Sequence, residues 1–328
     1  MIRVGIIGFG KMGQLRANCI NKSSLAQVKM IYDSNEANNS RYHSAQSIDE
    51  IFLDKRIEAV FICTPNHMNK DLTIKSLRSG KHVFCEKPPA FNENDVDDII
   101  SIEKKYQKKL MYGFNHRHHD SVKVIKNSIL NKEYGKVLWL RGRYGKSVDD
   151  DFYNEWRSSS KLSGGGILID QGIHMLDLFT YLCGEFDEIK SFVSNLYWEI
   201  DIEDNVFAIM KNSSENIIAS LHSTMTQWRH LFSLEVFFEK GYMVLNGLKT
   251  SSGTYGEEIL SIAKNRTKAP RATWEDEERI HFDVNNSWTS EINHFFNAIK
   301  NKSDIKIGNS NDAKVIMRTI DKIYRDGD

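Results

Sequence analysis

Arg3-Val4-Gly5-Ile6-Ile7 is a short β-branched run, and Gly8-Phe9-Gly10-Lys11-Met12-Gly13 follows it directly. A run of that length and composition reads as a buried parallel strand. The glycines close it and open a helix predicted over 14–21. A second strand, predicted over 27–32, ends at Asp33, 20 residues beyond Gly13. Strand, glycine motif, helix, strand and acid in that order form the pattern of a dinucleotide cradle. Gly8 permits the tight turn, Gly10 lets the backbone approach a pyrophosphate, and Gly13 lets helix and strand pack closely. Unpaired amides at the helix start meet the phosphate charge. Phe9, Lys11 and Met12 complete the cradle. Asp33 can accept hydrogen bonds from a ribose diol and repels a 2′-phosphate, so NAD is preferred over NADP. Lys11, Ser34 and Arg41 still tolerate a phosphate. A glycine turn without a ligand is the competing reading.

The alternation continues. A strand over 59–63 closes at Thr64-Pro65-Asn66-His67, and a helix over 69–79 stops before Gly80. A strand over 81–85 runs into Glu86-Lys87-Pro88-Pro89, followed by a helix over 95–106 and a strand over 109–113. This predicts an α/β fold with an N-terminal Rossmann-type, doubly wound parallel sheet. From about His119 the pattern changes to a helix over 121–131, a strand over 137–144, a helix over 167–182 and five strand-like runs between 189 and 246. The second half is therefore an α+β domain with a mainly antiparallel sheet, in which Val206, Ala208 and Met210 share one side. Helices cover one face. The faces of Phe232, Val236, Phe238 and Val244 stay open. Residues 248–283 read as a long hairpin or loop excursion, and helices over 287–300 and 311–324 end the chain. The expected division is a dinucleotide-binding domain over 1–118 and a substrate-binding and oligomerisation domain over 119–328, with the last helices packing back toward the first domain.

At 328 residues the chain has room for about two domains. Hydrophobic residues at 40% and charged residues at 27% suit a folded chain and argue against disorder. Lys plus Arg equals Asp plus Glu at 44 each, which leaves no basic excess for nucleic acid or an acidic membrane surface. The four cysteines, Cys19, Cys63, Cys85 and Cys183, form no CxxC pair. That favours a reducing cytoplasm over a disulfide scaffold or a thiolate zinc site. No apolar run approaches the length of a membrane span, and the first apolar run is too short for a signal peptide. A cytoplasmic location follows.

Lys87 lies just past the carboxyl end of a strand, where parallel sheets place ligands. A lysine there can donate a hydrogen bond to a reacting oxygen and stabilise its charge. A solvent-facing lysine is the plain alternative. Asp170 and His174 are four residues apart and share a face if helical. An imidazole suits acid–base work near neutrality, and Asp170 can orient it or bind a hydroxyl. Alternatively Asp170 caps the helix after Gly164-Gly165-Gly166, and His174 is a core histidine with Asp177 as a surface neighbour. His116, His118 and His119 sit near the domain junction and His118-His119-Asp120 imitates a ligand cluster, but no spacing closes a recognised metal site, and no metal is expected. Arg143, Arg157 and Arg229 suit a carboxylate or diphosphate, or form surface ion pairs.

The glycine motif, Thr64-Pro65-Asn66-His67, Glu86-Lys87-Pro88, Phe114-Asn115-His116-Arg117, Trp156-Arg157, and the glycine triplet running into Asp170 and His174 occur together in this order. In this set the chain resembles the Gfo/Idh/MocA oxidoreductases, along essentially its whole length. The Glu-Lys-Pro element is its most specific part. The resemblance implies that Lys87, Asp170 and His174 are catalytic. It places Thr64, Asn66, His67, Glu86, Lys87, Asn115, Trp156 and Arg157 along the dinucleotide. A sugar site needs hydrogen-bonding side chains and often an aromatic floor, for which Lys87, Arg117, Tyr144, Tyr153, Arg157, Asp170 and His174 are the candidates, with Gln227, Trp228, Arg229 and Tyr255 besides. The implied reaction is hydride transfer between nicotinamide and a ring hydroxyl or keto group of a sugar, inositol or nucleotide-linked sugar. His174 takes the hydroxyl proton, directly or through Lys87, and Lys87 stabilises the oxygen. A homodimer or homotetramer through the C-terminal sheet is also implied. An imine or other non-sugar reductase, and a catalytically silent NAD(H)-binding protein, remain the alternatives.

Overall fold

The computed structural model describes residues 1–35 and 42–327. Ile2–Ile7 (β1), Ala26–Tyr32 (β2), His43–Ser44 (β3), Ala59–Ile62 (β4), His82–Cys85 (β5) and Leu110–Tyr112 (β6) form a parallel sheet in the order β3-β2-β1-β4-β5-β6. The order reverses beside β1, and such a switch point is where ligands bind, beyond the carboxyl ends of the strands. Lys11–Lys22 (α1), Ile48–Leu53 (α2), Asn69–Arg78 (α3) and Glu93–Tyr106 (α4) alternate with the strands. Val4, Ile6, Ile7 and all of β4 are out of solvent, as a sheet covered on both faces requires. Helix α1 starts at Lys11, earlier than its apolar spacing indicates, because the Gln14 amide already donates to the Gly10 carbonyl at 3.0 Å. The short β3 and α2 carry too few residues for a readable period.

Asp120–Leu130 (α5), Val137–Ser147 (β7), Ser160–Ser163 (α6) and Ile173–Cys183 (α7) open the second half. Glu188–Ser194 (β8), Asn205–Asn212 (β9), Ile217–Thr224 (β10), Thr226–Phe238 (β11), Gly241–Asn246 (β12), Glu258–Lys264 (β13) and Glu278–Phe282 (β14) join β7 in one sheet, ordered β14-β13-β12-β11-β7-β10-β9-β8. Its pairings are antiparallel except β7 with β10. Val206, Ala208 and Met210 are buried while Phe207 and Ile209 between them are exposed. Met175 and Phe179 of α7 lie against Gly142 of β7, which places α7 on the buried face. Phe232, Val236 and Phe238 belong to that core. Val244 turns to the other face, since its buried neighbours Met243 and Leu245 occupy this one. The stretch 248–283 extends the sheet by the β13–β14 pair. The helix expected over 167–182 divides into a π-helical turn, Leu168–Gly172, and α7.

Ser287–Lys300 (α8) and Ser310–Gly327 (α9) complete the chain. Residues 1–115 with 287–318 form one compact unit, and 116–286 with 319–328 form the other. The side chains of α8 explain its membership of the first. Phe61 and Phe84 stack at 4.8 Å, and Phe295 meets each edge-on at 5.7 Å. Among the described residues no helix is long and apolar enough to cross a membrane.

Candidate active site

In the first unit the candidate residues gather at the carboxyl ends of β1, β2, β4 and β5. Gly8 has φ +86°, and a Cβ there would sit 2.5 Å from the Cys63 carbonyl oxygen. A Cβ on Gly13 would collide with the Gly8 carbonyl, whereas one on Gly10 would meet nothing. The loop therefore packs tightly inward at two glycines and leaves open space at the third. No side chain caps the start of α1, so its first amides remain available to an anion. The Phe9 amide donates to Asp33 Oδ2 at 2.5 Å and the Asn35 amide to Oδ1 at 2.8 Å. A carboxylate has about four acceptor sites, so Asp33 anchors the loop and can still receive a diol. These features fit a dinucleotide. Ser34 is exposed, and Arg41 lies outside the described residues.

The Glu86-Lys87-Pro88 segment is held from below. Asn69 of α3 is fully buried, and its amide donates to the Pro88 carbonyl at 2.8 Å and the Glu86 carbonyl at 3.3 Å. The Thr64 hydroxyl lies 3.4 Å from Asn69 Oδ1. The Glu86 carboxylate meets Arg16 Nε at 2.6 Å, and Arg16 Nη1 meets Glu291 Oε2 at 2.6 Å. Phe84 and Trp288 lie against the guanidinium, 4.4 and 4.7 Å from their ring centres. Burial works against the Arg16 charge, but the two carboxylates more than offset it and raise its pKa. Lys87 stands partly buried just above this base, and its bond to Pro88 is cis. Asn66 is buried and His67 exposed, while the Asn115 amide donates to the Ser287 hydroxyl at 3.3 Å.

In the second unit Asp170 lies in the π turn and His174 in the first turn of α7. The glycine triplet allows this. A Cβ on Gly166 would strike the Glu203 carbonyl, and the Glu203 carboxylate accepts from the Gly166 amide at 2.7 Å and the Leu168 amide at 2.9 Å. Glu203, not Asp170, caps this helix. Burial raises the Glu203 pKa, against hydrogen bonds that lower it. Asp170 is then left to side chains. Lys146 Nζ lies 3.2 Å from its Oδ2, and Arg157 Nε lies 3.9 Å from its Oδ1. Arg157 also lies over the Trp156 ring and 3.5 Å from Glu155.

His174 is buried and stacks on His116, ring centres 3.9 Å apart at 20°. His116 Nε2 and the Tyr144 hydroxyl are 3.0 Å apart. The Tyr144 hydroxyl in turn bonds with Tyr255. Burial, Tyr255 and the charge of Asp170 all push the Tyr144 pKa up. Tyr144 thus touches the surroundings of both Asp170 and His174. Behind them His119 Nδ1 lies 2.9 Å from Glu258, which also accepts from the Ser121 hydroxyl at 2.5 Å. Burial would raise the Glu258 pKa, but hydrogen bonds from His119 and Ser121, with the His119 charge, hold it below the usual range.

Two expectations are revised by this geometry. Asp177 is fully buried, not a surface neighbour of His174, and it receives Arg117 through Nε at 2.8 Å and Nη2 at 2.6 Å. That pair commits Arg117 to the scaffold. Tyr153 is about half exposed, and its hydroxyl donates to the Trp198 carbonyl at 2.8 Å. Lys146 was not anticipated. Its signal was present in the strand period, because Tyr144 and Lys146 are two residues apart on β7 and share a face.

Comparison with known proteins adds an independent line. Residues 2–114 match an oxidoreductase family with an NAD-binding Rossmann fold, Gfo/Idh/MocA, and residues 122–244 match the C-terminal domain of the same family. Myo-inositol 2-dehydrogenase of Thermotoga maritima is 25% identical over 273 residues, 78% of this chain and 79% of that one. Glucose-6-phosphate 3-dehydrogenase of Bacillus subtilis is 29% identical over 192 residues, 56% of this chain and 54% of that one. A levoglucosan dehydrogenase solved with NADH and levoglucosan superposes with a TM-score of 0.87 at 22% identity, over 99% of this chain and 97% of the other.

Proposed function

The chain belongs to the Gfo/Idh/MocA oxidoreductase family, and from that premise we propose that it moves a hydride between nicotinamide and a ring hydroxyl or keto group of a sugar, an inositol or a nucleotide-linked sugar. The observation that carries this reading is the placement of Asp170 in the π turn and of His174 in the helix that follows it, with His174 stacked on His116 and Asp170 held by Lys146. The relatives named as inositol and sugar dehydrogenases support the substrate class.

NAD, when bound, accepts or returns the hydride. Gly8 to Gly13 and Asp33 hold its phosphates and ribose, with Thr64, Asn66, His67, Glu86, Asn115, Trp156 and Arg157 along the rest of it. Lys87 donates a hydrogen bond to the reacting oxygen and stabilises charge there. His174 takes the hydroxyl proton in oxidation and returns it in reduction. His116 keeps the His174 ring from turning. Asp170 accepts from a neighbouring hydroxyl, oriented by Lys146 and Arg157. Tyr144 supplies a further polar contact for the ring. The first unit serves the nucleotide and the second the substrate.

The same reading includes a homodimer or homotetramer through the open face of the second sheet. Phe192, Phe207, Ile209 and Ile218 are each about half or more exposed there, and apolar surface of that kind favours association. A cytoplasmic setting is supported by the four free thiols.

The test is a panel of hexoses, inositols, uronic acids and nucleotide-diphosphate sugars with NAD⁺ and NADP⁺, followed at the absorbance of the reduced nicotinamide. Selective turnover with NAD⁺ is expected. Lys87→Met is expected to keep NADH binding and lose about a hundredfold or more in kcat. A K87M protein with unchanged turnover removes Lys87 from its role.

A further inference from the structure

Beside the Asp170–Lys146 pair the second unit carries an open cavity of about 610 Å³, walled by Lys146, Asp149, Phe152, Glu155, Arg229 and His230 among others. We infer that this cavity receives an anionic substituent of the substrate, a carboxylate or a phosphate, with Arg229 as its principal partner and Lys146 beside it. The inference rests on the sugar-dehydrogenase reading and narrows its substrate class.

Three observations converge on it. The first is the charge on the wall. Both acids there have cationic or amide partners: the Asp149 carboxylate accepts from the Asp151 amide at 3.2 Å, and Glu155 lies 3.5 Å from Arg157. Lys146 is paired with Asp170. Arg229 is exposed and has no hydrogen-bond or ion-pair partner among the described residues. The formal charges of the wall balance, Lys146 and Arg229 against Asp149 and Glu155, and of its two cations Arg229 is the one left to meet a ligand. Burial and then the Lys146 charge hold the pKa of the neighbouring His230 down.

The second is the backbone. Successive residues of a regular strand point to opposite faces. Arg229 and His230 are successive, yet both line this one cavity. The β11–β7 register breaks between Thr226 and Leu231, and inside that bulge Trp228 has φ +57°. A left-handed conformation is unfavourable for so bulky a residue. It is held by rings: Trp228 meets Tyr197 edge-on at 4.9 Å and Trp198 at 6.2 Å. The bulge turns an alternating strand into one that presents Arg229 and His230 side by side, and such bulges re-aim side chains next to active sites.

The third is chemical fit. A guanidinium fork with free N–H groups matches the paired oxygens of a carboxylate or phosphate. The volume suits a small-molecule site, which spans about 300–1,000 Å³. Phe152 gives the cavity an apolar side, over which Lys146 Nζ stands 5.1 Å from the ring centre.

The experiment is calorimetric titration of the NAD-loaded protein with glucose, glucuronate and glucose 6-phosphate, for the wild type, R229A and R229K. The expected result is that at least one anionic probe binds about tenfold or more tightly than glucose. R229A should reduce that preference to about twofold or less, and R229K should restore part of it. The two anionic arms separate a carboxylate from a phosphate. Equal binding of neutral and anionic probes by the wild type overturns the inference, as does a preference that survives R229A or a failure of both anions to bind. Turnover of neutral sugars with no anion preference leaves the dehydrogenase reading standing while this one falls. Arg229-dependent anion binding with no NAD-linked turnover of any sugar does the reverse.

Discussion

Arg16 and Glu86 meet at 2.6 Å inside the first unit, with the arginine wholly out of solvent. Glu86 is the residue before Lys87, so the ion pair ties the first helix to the base of the candidate catalytic lysine. Glu291 of α8 takes the other arm of the same guanidinium. Removing one partner of a buried pair leaves the remaining charge uncompensated, which costs about 3–5 kcal/mol. Arg16→Met strands two carboxylates and is expected to lower the stability of the chain by about that amount, measured by urea unfolding. Arg16→Lys keeps the charge but cannot span both acids, so it should fall between the two. An R16M protein as stable as the wild type would show that the pair holds nothing together.

Asp33 has two tasks, and they can be told apart. Its bonds to the Phe9 and Asn35 amides hold the glycine loop whichever dinucleotide binds. Its remaining acceptor sites serve only a ribose with a free 2′-hydroxyl. Hydrogen bonds to a charged group contribute about 1.5–3 kcal/mol, or roughly ten- to a hundredfold in affinity. D33A is expected to weaken NADH by roughly tenfold or more beyond its effect on NADPH, read from nicotinamide fluorescence. An equal loss for both would leave Asp33 only its task in the loop.

His82 gives the first unit a dependence on acid. Its Nδ1 accepts from the Lys109 amide at 2.9 Å. Burial, with the charges of Lys108 and Lys109, lowers its pKa from 6.5 to about 4. As pH falls the unfolded chain takes up this proton before the folded one. The contribution of His82 to stability is therefore full above pH 6.5 and is lost as pH falls toward about 4. His82→Asn, which keeps an acceptor but does not titrate there, should flatten the unfolding midpoint across that window. A wild-type slope retained in H82N would assign the dependence to other groups.

The first unit is legible in the sequence because its signals are local. A strand, three glycines and an acid lie within one short stretch, and Gly8 and Gly13 each answer to a neighbour only a few residues away or on the next strand. The second unit is less so. Arg117 reads as a substrate residue until Asp177, 60 positions on, is found against it. Glu203 caps the helix of Asp170 and His174 from 37 positions away, so the nearer Asp170 looks like the cap. The π turn is hidden because Ile169, Ile173 and Leu176 satisfy an α-helical period as well. Lys146 needed only the alternation of β7, and Trp228 needed the bulge that breaks the alternation of β11.

A π turn is an α-helix with one residue too many, and that makes the candidate site a matter of chain length as much as of side chains. Between Gly166, fixed by Glu203, and α7, packed on β7, the backbone has no freedom to absorb a change in count. Losing one residue there would wind Leu168–Gly172 into a regular helix. Each α-helical residue turns the chain by about 100°, so Asp170 would swing off Lys146 and Arg157 while His174 stayed on His116. The amino-acid inventory of the site would be untouched, and its two halves would no longer face the same molecule.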